Sequence, residues 1–363
     1  MTSPQPVLLD QWTPDQIRTR ACPACYVCGT RGEPLYENLK DRLFGAPGTW
    51  NLKHCPEPRC RLIWLDPMPS EADIGKAYAN YFTHIEVNFP RRNWLKRAYR
   101  LVKRGYWAHK YGYSKDSIGK WEQILGMMIN LHPRLSAELD FRVMYLDFRQ
   151  NGHLLDVGCG SGLALQCMVE LGWQVQGVDF DPEAVQISQK KGLEVHLGSL
   201  EDQVYPSDSF DAITMSHLIE HVHDPLSLLS ECRRILKPGG LVVIVTPNSG
   251  SWGHQRFGAH WMHLDPPRHL HIFNEQCLRT LTGKAGFQLV SLSSTIRDAD
   301  GVFIGSRSIE RTGRHRMERS HHTLLRRLWG RGMQFAEWAV LKSEPGLGEE
   351  IALVAAKEPA VQR

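Results

Sequence analysis

The run Leu154-Leu155-Asp156-Val157-Gly158-Cys159-Gly160-Ser161-Gly162 limits the folds open to this chain more than any other segment. An apolar stretch of strand length runs straight into three glycines at alternate positions, and a helical pattern opens behind them. Glycine there lets the backbone pass close to a ligand, while the free N–H groups of a helix N-terminus attract a carboxylate or phosphate. The spacing narrows the ligand. A dinucleotide loop needs Gly or Ala at position 163, where Leu163 stands, and the third glycine falls at 162 instead.

Around this loop, from about 150 to 296, short β-rich runs alternate with helical ones, which predicts a parallel sheet covered on both faces. Strands are expected at His153–Val157, Gln174–Asp179, Leu193–Leu197, Phe210–Met215, Leu241–Thr246 and Phe287–Leu292, with helices over 162–172, 182–191, 225–236 and 274–285. Asp224-Pro225 is a cap followed by proline at the first helical position, and Lys237-Pro238-Gly239-Gly240 stops that helix. Residues 66–149 read as a helical connector, 297–346 as a basic helical insertion, and Glu350–Ala356 as a seventh strand. The chain thus divides into a cysteine-rich module at 1–65, the connector, an α/β domain at 150–296 and 347–363, and the insertion. Its 363 residues fit more than one domain.

G-x-G-x-G with Asp156 two residues ahead resembles motif I of the class I S-adenosylmethionine-dependent methyltransferases. Further matches follow in order: Asp179 and Phe180 in Gly177-Val178-Asp179-Phe180-Asp181-Pro182, then Gly198-Ser199-Leu200-Glu201, Phe210-Asp211-Ala212-Ile213 and Leu236-Lys237-Pro238-Gly239-Gly240. The resemblance implies a Rossmann-like, mostly parallel seven-stranded sheet whose last strand is reversed. It also implies S-adenosylmethionine as cofactor, with Asp156, Gly158, Gly160 and Gly162 at the loop, Asp179 on the ribose, Ser199 and Leu200 about the adenine, and Phe180 and Ser216 among the other cofactor contacts.

Behind the fourth strand stands Ser216-His217-Leu218-Ile219-Glu220-His221-Val222-His223-Asp224-Pro225, three histidines and two acids in ten residues. Removing a proton from a methyl acceptor suits histidine, whose ordinary pKa is nearest neutrality. The segment resembles the acceptor-lining H-x-x-E-H-V-x-D-P stretch of ubiquinone-type O-methyltransferases and deoxysugar C-methyltransferases. His221 is the expected general base, with Glu220 orienting it or holding a substrate hydroxyl, and His217 the second choice. Two other readings stand beside this one: the segment caps and packs the next helix, or Glu220 and His221 hold a divalent metal. After the fifth strand, the long aromatic loop through His260-Trp261-Met262-His263-Leu264-Asp265-Pro266-Pro267-Arg268-His269 is either an acceptor-site lid or a packed-down connection. In the first case His260, Arg268 and His269 would grip an anionic or hydroxyl-rich acceptor.

Five of the nine cysteines fall in the first 60 residues. Cys25-x2-Cys28-Gly29 and Cys55-x4-Cys60 have the spacing of two knuckles around a structural zinc ion, a zinc ribbon-like module. Cys22-x2-Cys25 competes, but glycine favours the turn after a knuckle and follows Cys28 only. Some deoxysugar C-methyltransferases resemble this arrangement, and by that likeness Tyr78 or Tyr81 would enter the acceptor pocket, with core packing the other option.

Composition excludes disordered, fibrous and membrane-spanning classes: 42% of residues are hydrophobic and 23% charged, and no apolar run nears ~18 residues. The N-terminal residues lack a basic and apolar leader pattern, so a reducing cytoplasm is expected. The net charge of +4 conceals two basic segments: residues 91–120 hold ten Lys/Arg against Asp116, and 305–333 hold eight Arg against Glu310 and Glu318. Basic amphipathic helices favour contact with an anionic membrane surface. The expected activity is methyl transfer to a hydroxyl or carbon of a small-molecule, sugar or lipid-linked glycan acceptor. Methylation of RNA or protein, gripped by the module and the basic segments, is the alternative, and a non-catalytic binding protein of the same fold is a third.

Overall fold

The computed structural model describes residues 16–79, 93–114, 118–315 and 323–359, the side chains of 93–98 apart. After a two-residue strand β1 (Thr19–Arg20) come β2 (Glu33–Leu39), β3 (Trp50–His54), β4 (Ile63–Leu65) and β5 (Met68–Pro69), the last pairing with β1. Three helices follow: α1 (Asn93–Tyr111), α2 (Lys120–Met127) and α3 (Pro133–Arg142).

The α/β unit alternates β6 (His153–Val157), α4 (Leu163–Glu170), β7 (Gln174–Asp179), α5 (Pro182–Lys190), β8 (Val195–Leu197), β9 (Phe210–Ser216), α6 (Pro225–Ile235) and β10 (Leu236–Pro247). It continues through α7 (Trp252–Phe257), β11 (His271–Ile272), α8 (Glu275–Lys284), β12 (Gln288–Thr295), α9 (Ala299–Thr312), α10 (Leu324–Val340) and β13 (Glu350–Ala356). The main sheet has seven strands in the order β12-β13-β10-β9-β6-β7-β8, and β13 runs antiparallel to both of its neighbours. The order reverses between β6 and β9, so their carboxyl ends open the crevice where such sheets bind ligands. Leu154, Val243 and Val354 face one core with Tyr106, Trp107, Leu139 and Leu165, so the connector helices cover that face with α4 and α5. Ile213, Ile244 and Leu353 face the other, with Leu229, Leu278 and Phe303 from α6, α8 and α9.

This second core runs without a break into the cysteine-rich module, taking in Leu52, Leu62, Trp64 and Cys60. The module's own four-stranded sheet has the order β11-β4-β3-β2, so it borrows its edge strand β11 from the α/β unit. Asn274 donates to the Cys60 carbonyl at 2.8 Å, and Tyr26 reaches across to the Asp224 cap of α6. Among the described residues, no helix is long and apolar enough to cross a membrane.

Candidate functional site

The glycine loop bends as its composition demands: Gly158, Gly160 and Gly162 have φ of 74°, 53° and 74°, a region costly for residues with a Cβ. A Cβ at Gly162 would press on Leu193 and Ser188, so that glycine serves packing. Around Gly160 the same position is open, and Gly158 is the loop glycine that lines a cleft. Val157, Gly158, Val178, Asp179, Phe180, Ser199, Leu200, Glu201, Leu218 and Val222 line that cleft, so the loop, the acid and the following loop do converge. Asp179 ties the parts together, accepting from Gly160 N–H at 2.7 Å and Asp181 N–H at 2.9 Å. Burial raises its pKa, against the pull of those two donors.

Two expected cofactor contacts are placed differently. Asp156 is buried beneath the loop, accepts the Thr214 hydroxyl at 2.7 Å and is pushed by burial up to about 7, so it supports the floor and does not face the cleft. Ser199 turns its N–H and hydroxyl onto Asp202, at 2.9 and 2.8 Å, which fixes the loop. Phe180 stands exposed at the cleft edge, Leu200 is buried in its wall, and Ser216 ends β9 half-buried. An apolar slot with a carboxylate and open backbone beside a helix N-terminus suits a nucleoside carrying a charged side arm.

His221 lies in a short turn after β9, on the segment whose Leu218 and Val222 wall the cleft. Its Nδ1 is 3.0 Å from the Arg268 carbonyl oxygen and 2.9 Å from Tyr78 Oη. A carbonyl can only accept, so Nδ1 carries the proton and Nε2 the lone pair. Burial first, and His269 second, hold its pKa down to about 4, which keeps the ring neutral at physiological pH. Glu220 is fully buried, accepts from Thr246 Oγ1 at 2.8 Å and, although burial opposes ionisation, is held down to about 2 by His217 and His221.

His217 is no base. Its two ring nitrogens lie 3.4 Å from Glu220 Oε1 and 2.8 Å from Glu350 Oε1. Burial would lower its pKa, but the two glutamates raise it to about 10, so it holds its proton. Arg297 forks onto the same Glu350 carboxylate at 2.8 and 2.5 Å and stacks on Phe141. Neither Arg297 nor Glu350 stood out in sequence. The available signal was position: the reversed strand starts at the carboxyl edge of the sheet, so the acid opening it reaches the site.

The aromatic loop is packed down. Trp261 is buried with its indole N–H 2.8 Å from Glu349, and Met262 N–H donates to Ser306 at 2.9 Å. Arg268, expected to grip an acceptor, is fully buried, its guanidinium bonded to Asp265, to Asp41 at 2.7 Å and to the Ala77 carbonyl at 3.0 Å. It is a strut between loop and module. His269 does reach the site, its ring 4.7 Å from that of His221 and its Nδ1 bonded to the His263 carbonyl. His260 sits half-buried in a neighbouring turn, and Tyr81 lies outside the described residues. His223 bonds the Pro69 carbonyl at 2.8 Å, joining the segment to the module.

Glu220, His221 and His269 each offer a donor atom within 4.8 Å of the others. The same holds for Cys25, Cys28, Cys55 and Cys60, whose Sγ atoms pair at 3.5 Å (Cys25 with Cys60) and 3.3 Å (Cys28 with Cys55). Those spacings approach the roughly 3.8 Å edge of a tetrahedral four-thiolate site with ~2.3 Å bonds. Gly29 has φ 76°, as the turn behind a knuckle requires, whereas Cys22 stands apart, bonded through its backbone to Asp66.

Residues 128–292 match the model of a family described as a methyltransferase domain. The matched residues are a class I S-adenosylmethionine-dependent methyltransferase domain. Within this methyltransferase domain, 136 residues are 37% identical to a ubiquinone biosynthesis O-methyltransferase of Xanthomonas oryzae pv. oryzae, 36% of this chain and 56% of that protein. A protein of the same name from Alkalilimnicola ehrlichii is 30% identical over 154 residues, 40% of this chain and 62% of the relative. The chain thus spans little more than half the length of these relatives. A SAM-dependent methyltransferase from Archaeoglobus fulgidus superposes with a TM-score of 0.42 at 18% identity, covering 64% of this chain and 99% of that one.

Proposed function

We propose that this chain transfers a methyl group from S-adenosylmethionine to a hydroxyl or carbon of a small-molecule, sugar or lipid-linked glycan acceptor, with His221 as general base. The single observation that carries the assignment is the Nδ1 contact to the Arg268 carbonyl, which leaves Nε2 of a neutral, half-buried imidazole as the proton-accepting atom beside the cofactor cleft. When bound, S-adenosylmethionine supplies an electrophilic methyl group. Asp179 and the Gly158 backbone would hold it, and the apolar walls would keep water away. His221 Nε2 takes the acceptor's proton, Glu220 stabilises the imidazolium that results, and Tyr78 with the Arg268 carbonyl keeps the ring from turning. His217, a locked cation, orients Glu220.

The four-thiolate cluster is read as a structural zinc site, with no open position for catalysis. Its place in the protein would be to brace β11 and so the loop that carries Arg268 and His269. The division at 1–65, 66–149, 150–296 with 347–363, and 297–346, and a cytoplasmic location, belong to the same reading. Supplying methyl-labelled S-adenosylmethionine with a small-molecule and lipid extract, or with RNA and protein, tests it. Label in the low-molecular-weight or lipid fraction supports the proposal, and label confined to RNA or protein favours the alternative acceptors.

A second reading has one observation in its favour. The Glu220–His221–His269 cluster fits a divalent ion, and Glu220 Oε1 has no hydrogen-bond partner among the described residues beyond the 3.4 Å approach of His217. Turnover stimulated by added Mg²⁺ or Mn²⁺ and unresponsive in Glu220→Gln would support it, since one Nε2 lone pair cannot both bind metal and take a proton.

A further inference from the structure

Two helices, α2 and α10, display apolar side chains to solvent. On α2 and the turn behind it, Trp121 is 79% exposed and Leu131 80%, with Ile124, Leu125 and Met128 exposed between them. On α10, Leu325 is 77% exposed, and Leu324, Leu328 and Phe335 are exposed along the same helix. In both cases the spacing is that of a helix stripe, and the buried positions are few: Gly126 on α2, and Gly330, Gln334 and Glu337 on α10. Large exposed apolar surface of this kind marks a docking site.

Charge identifies the occupant. Exposed Arg326, Arg327 and Arg331 stand among the leucines of α10, whose only acid, Glu337, is buried. Exposed Arg100 and Arg104 stand on α1, an acid-free helix that packs against α2, and Arg134 is exposed beyond Leu131. Interleaved arginine and large apolar side chains match a surface that is anionic outside and apolar beneath. Elements next to the stripes meet at the start of α9: Arg134 of α3 lies 3.6 Å from Asp300, and the buried Gly330 of α10 packs against the Asp300 carbonyl and Ile304. The start of α9 is also where Arg297 meets Glu350 and His217, with Phe141 of α3 stacked on it. The elements that carry the two stripes therefore meet beside the proposed acceptor site.

We infer that the exposed faces of α2 and α10 dock on an anionic phospholipid bilayer, setting the His217–His221 edge toward a lipid-borne acceptor. The cargo rests on the proposed methyl transfer; the docking does not, and it is tested without cofactor. The full-length protein is sedimented with phosphatidylcholine vesicles with and without phosphatidylglycerol. Binding is expected only to the anionic vesicles, weakening with added salt. In Trp121→Ser/Leu131→Ser/Leu325→Ser it should weaken by at least about tenfold, with S-adenosylmethionine affinity unchanged by calorimetry. Equal binding to both vesicle types, no binding, or full binding by the triple variant would overturn the inference. So would light scattering that shows a dimer which the triple variant dissolves, or RNA binding lost in that variant without any vesicle binding. Loss of cofactor affinity in the wild type, with vesicle binding intact, would sink the methyl-transfer reading and leave the docking standing.

Discussion

The two sides of the crevice are built in opposite ways. On the cofactor side, each wall comes from a strand and the loop directly behind it, so Gly160 and the Asp179 it bonds are 19 positions apart. On the side proposed for the acceptor, His221 is held by Tyr78, 143 positions away, and its neighbour loop is pinned by Asp41 to Arg268 across 227 positions. A cofactor shared by many enzymes can be bound by a local pattern, whereas an acceptor site assembled from a cysteine-rich module, a loop and an insertion can vary piece by piece.

The contrast can be broken experimentally, and the largest effect should come from its centre. His221→Ala is expected to lower turnover by about 10²- to 10⁴-fold. Asp179→Ala should instead abolish detectable binding of S-adenosylmethionine by calorimetry. The reverse assignment, with His221→Ala losing the cofactor, would mean that the two sides are not separate. Next in size is removal of the module's support. Stripping the proposed zinc from the four thiols with a chelator, or Cys25→Ser, should unfold the β4–β11 pairing and cut turnover strongly, followed by amide exchange at Trp64 and Ile272. Persistent protection there would show that the hydrophobic core alone holds the module in place.

A smaller effect is expected from the strut. Asp41→Asn leaves Arg268 with one carboxylate fewer in a buried setting and should cost about 3 kcal/mol in denaturant unfolding. Turnover should fall more than cofactor affinity.

The smallest and most diagnostic signal is in the pH dependence. With His221 titrating at about 4 and His217 at about 10, kcat/KM should rise through the lower value and stay flat until the upper one. Stability follows from the same shifts. His217 is raised above its ordinary 6.5, so its ion pairs contribute fully below that value and are lost as pH rises through about 10. Glu220 is lowered from 4.5, so its contribution is present above that value and is lost as pH falls through about 2.

Legibility from sequence divided along the same line. The glycine spacing, Asp179 and the Asp224-Pro225 cap are short-range devices, and β6, β7 and β9 lie where the pattern put them, with β13 reversed as the resemblance implied; β10 instead starts at Leu236, five residues before the expected Leu241, with a register shift across the Pro-Gly-Gly segment. The Cys25, Cys28, Cys55 and Cys60 cluster was also legible, because ligand spacing is a local signal. Arg268 was misread because nothing near it in sequence announces Asp41, and His217 because its charge is set by Glu350 on a strand 133 positions later. His269 was read as an acceptor ligand, yet its packing against His221 depends on how the loop folds back.

The separation of cofactor side from acceptor side is tested most directly by titrating S-adenosylmethionine into the wild-type protein and into His221→Ala under the same conditions. The account predicts measurable and matching affinities, with turnover lost only in the variant. No heat from the wild type, or an affinity lost together with turnover in the variant, would contradict it.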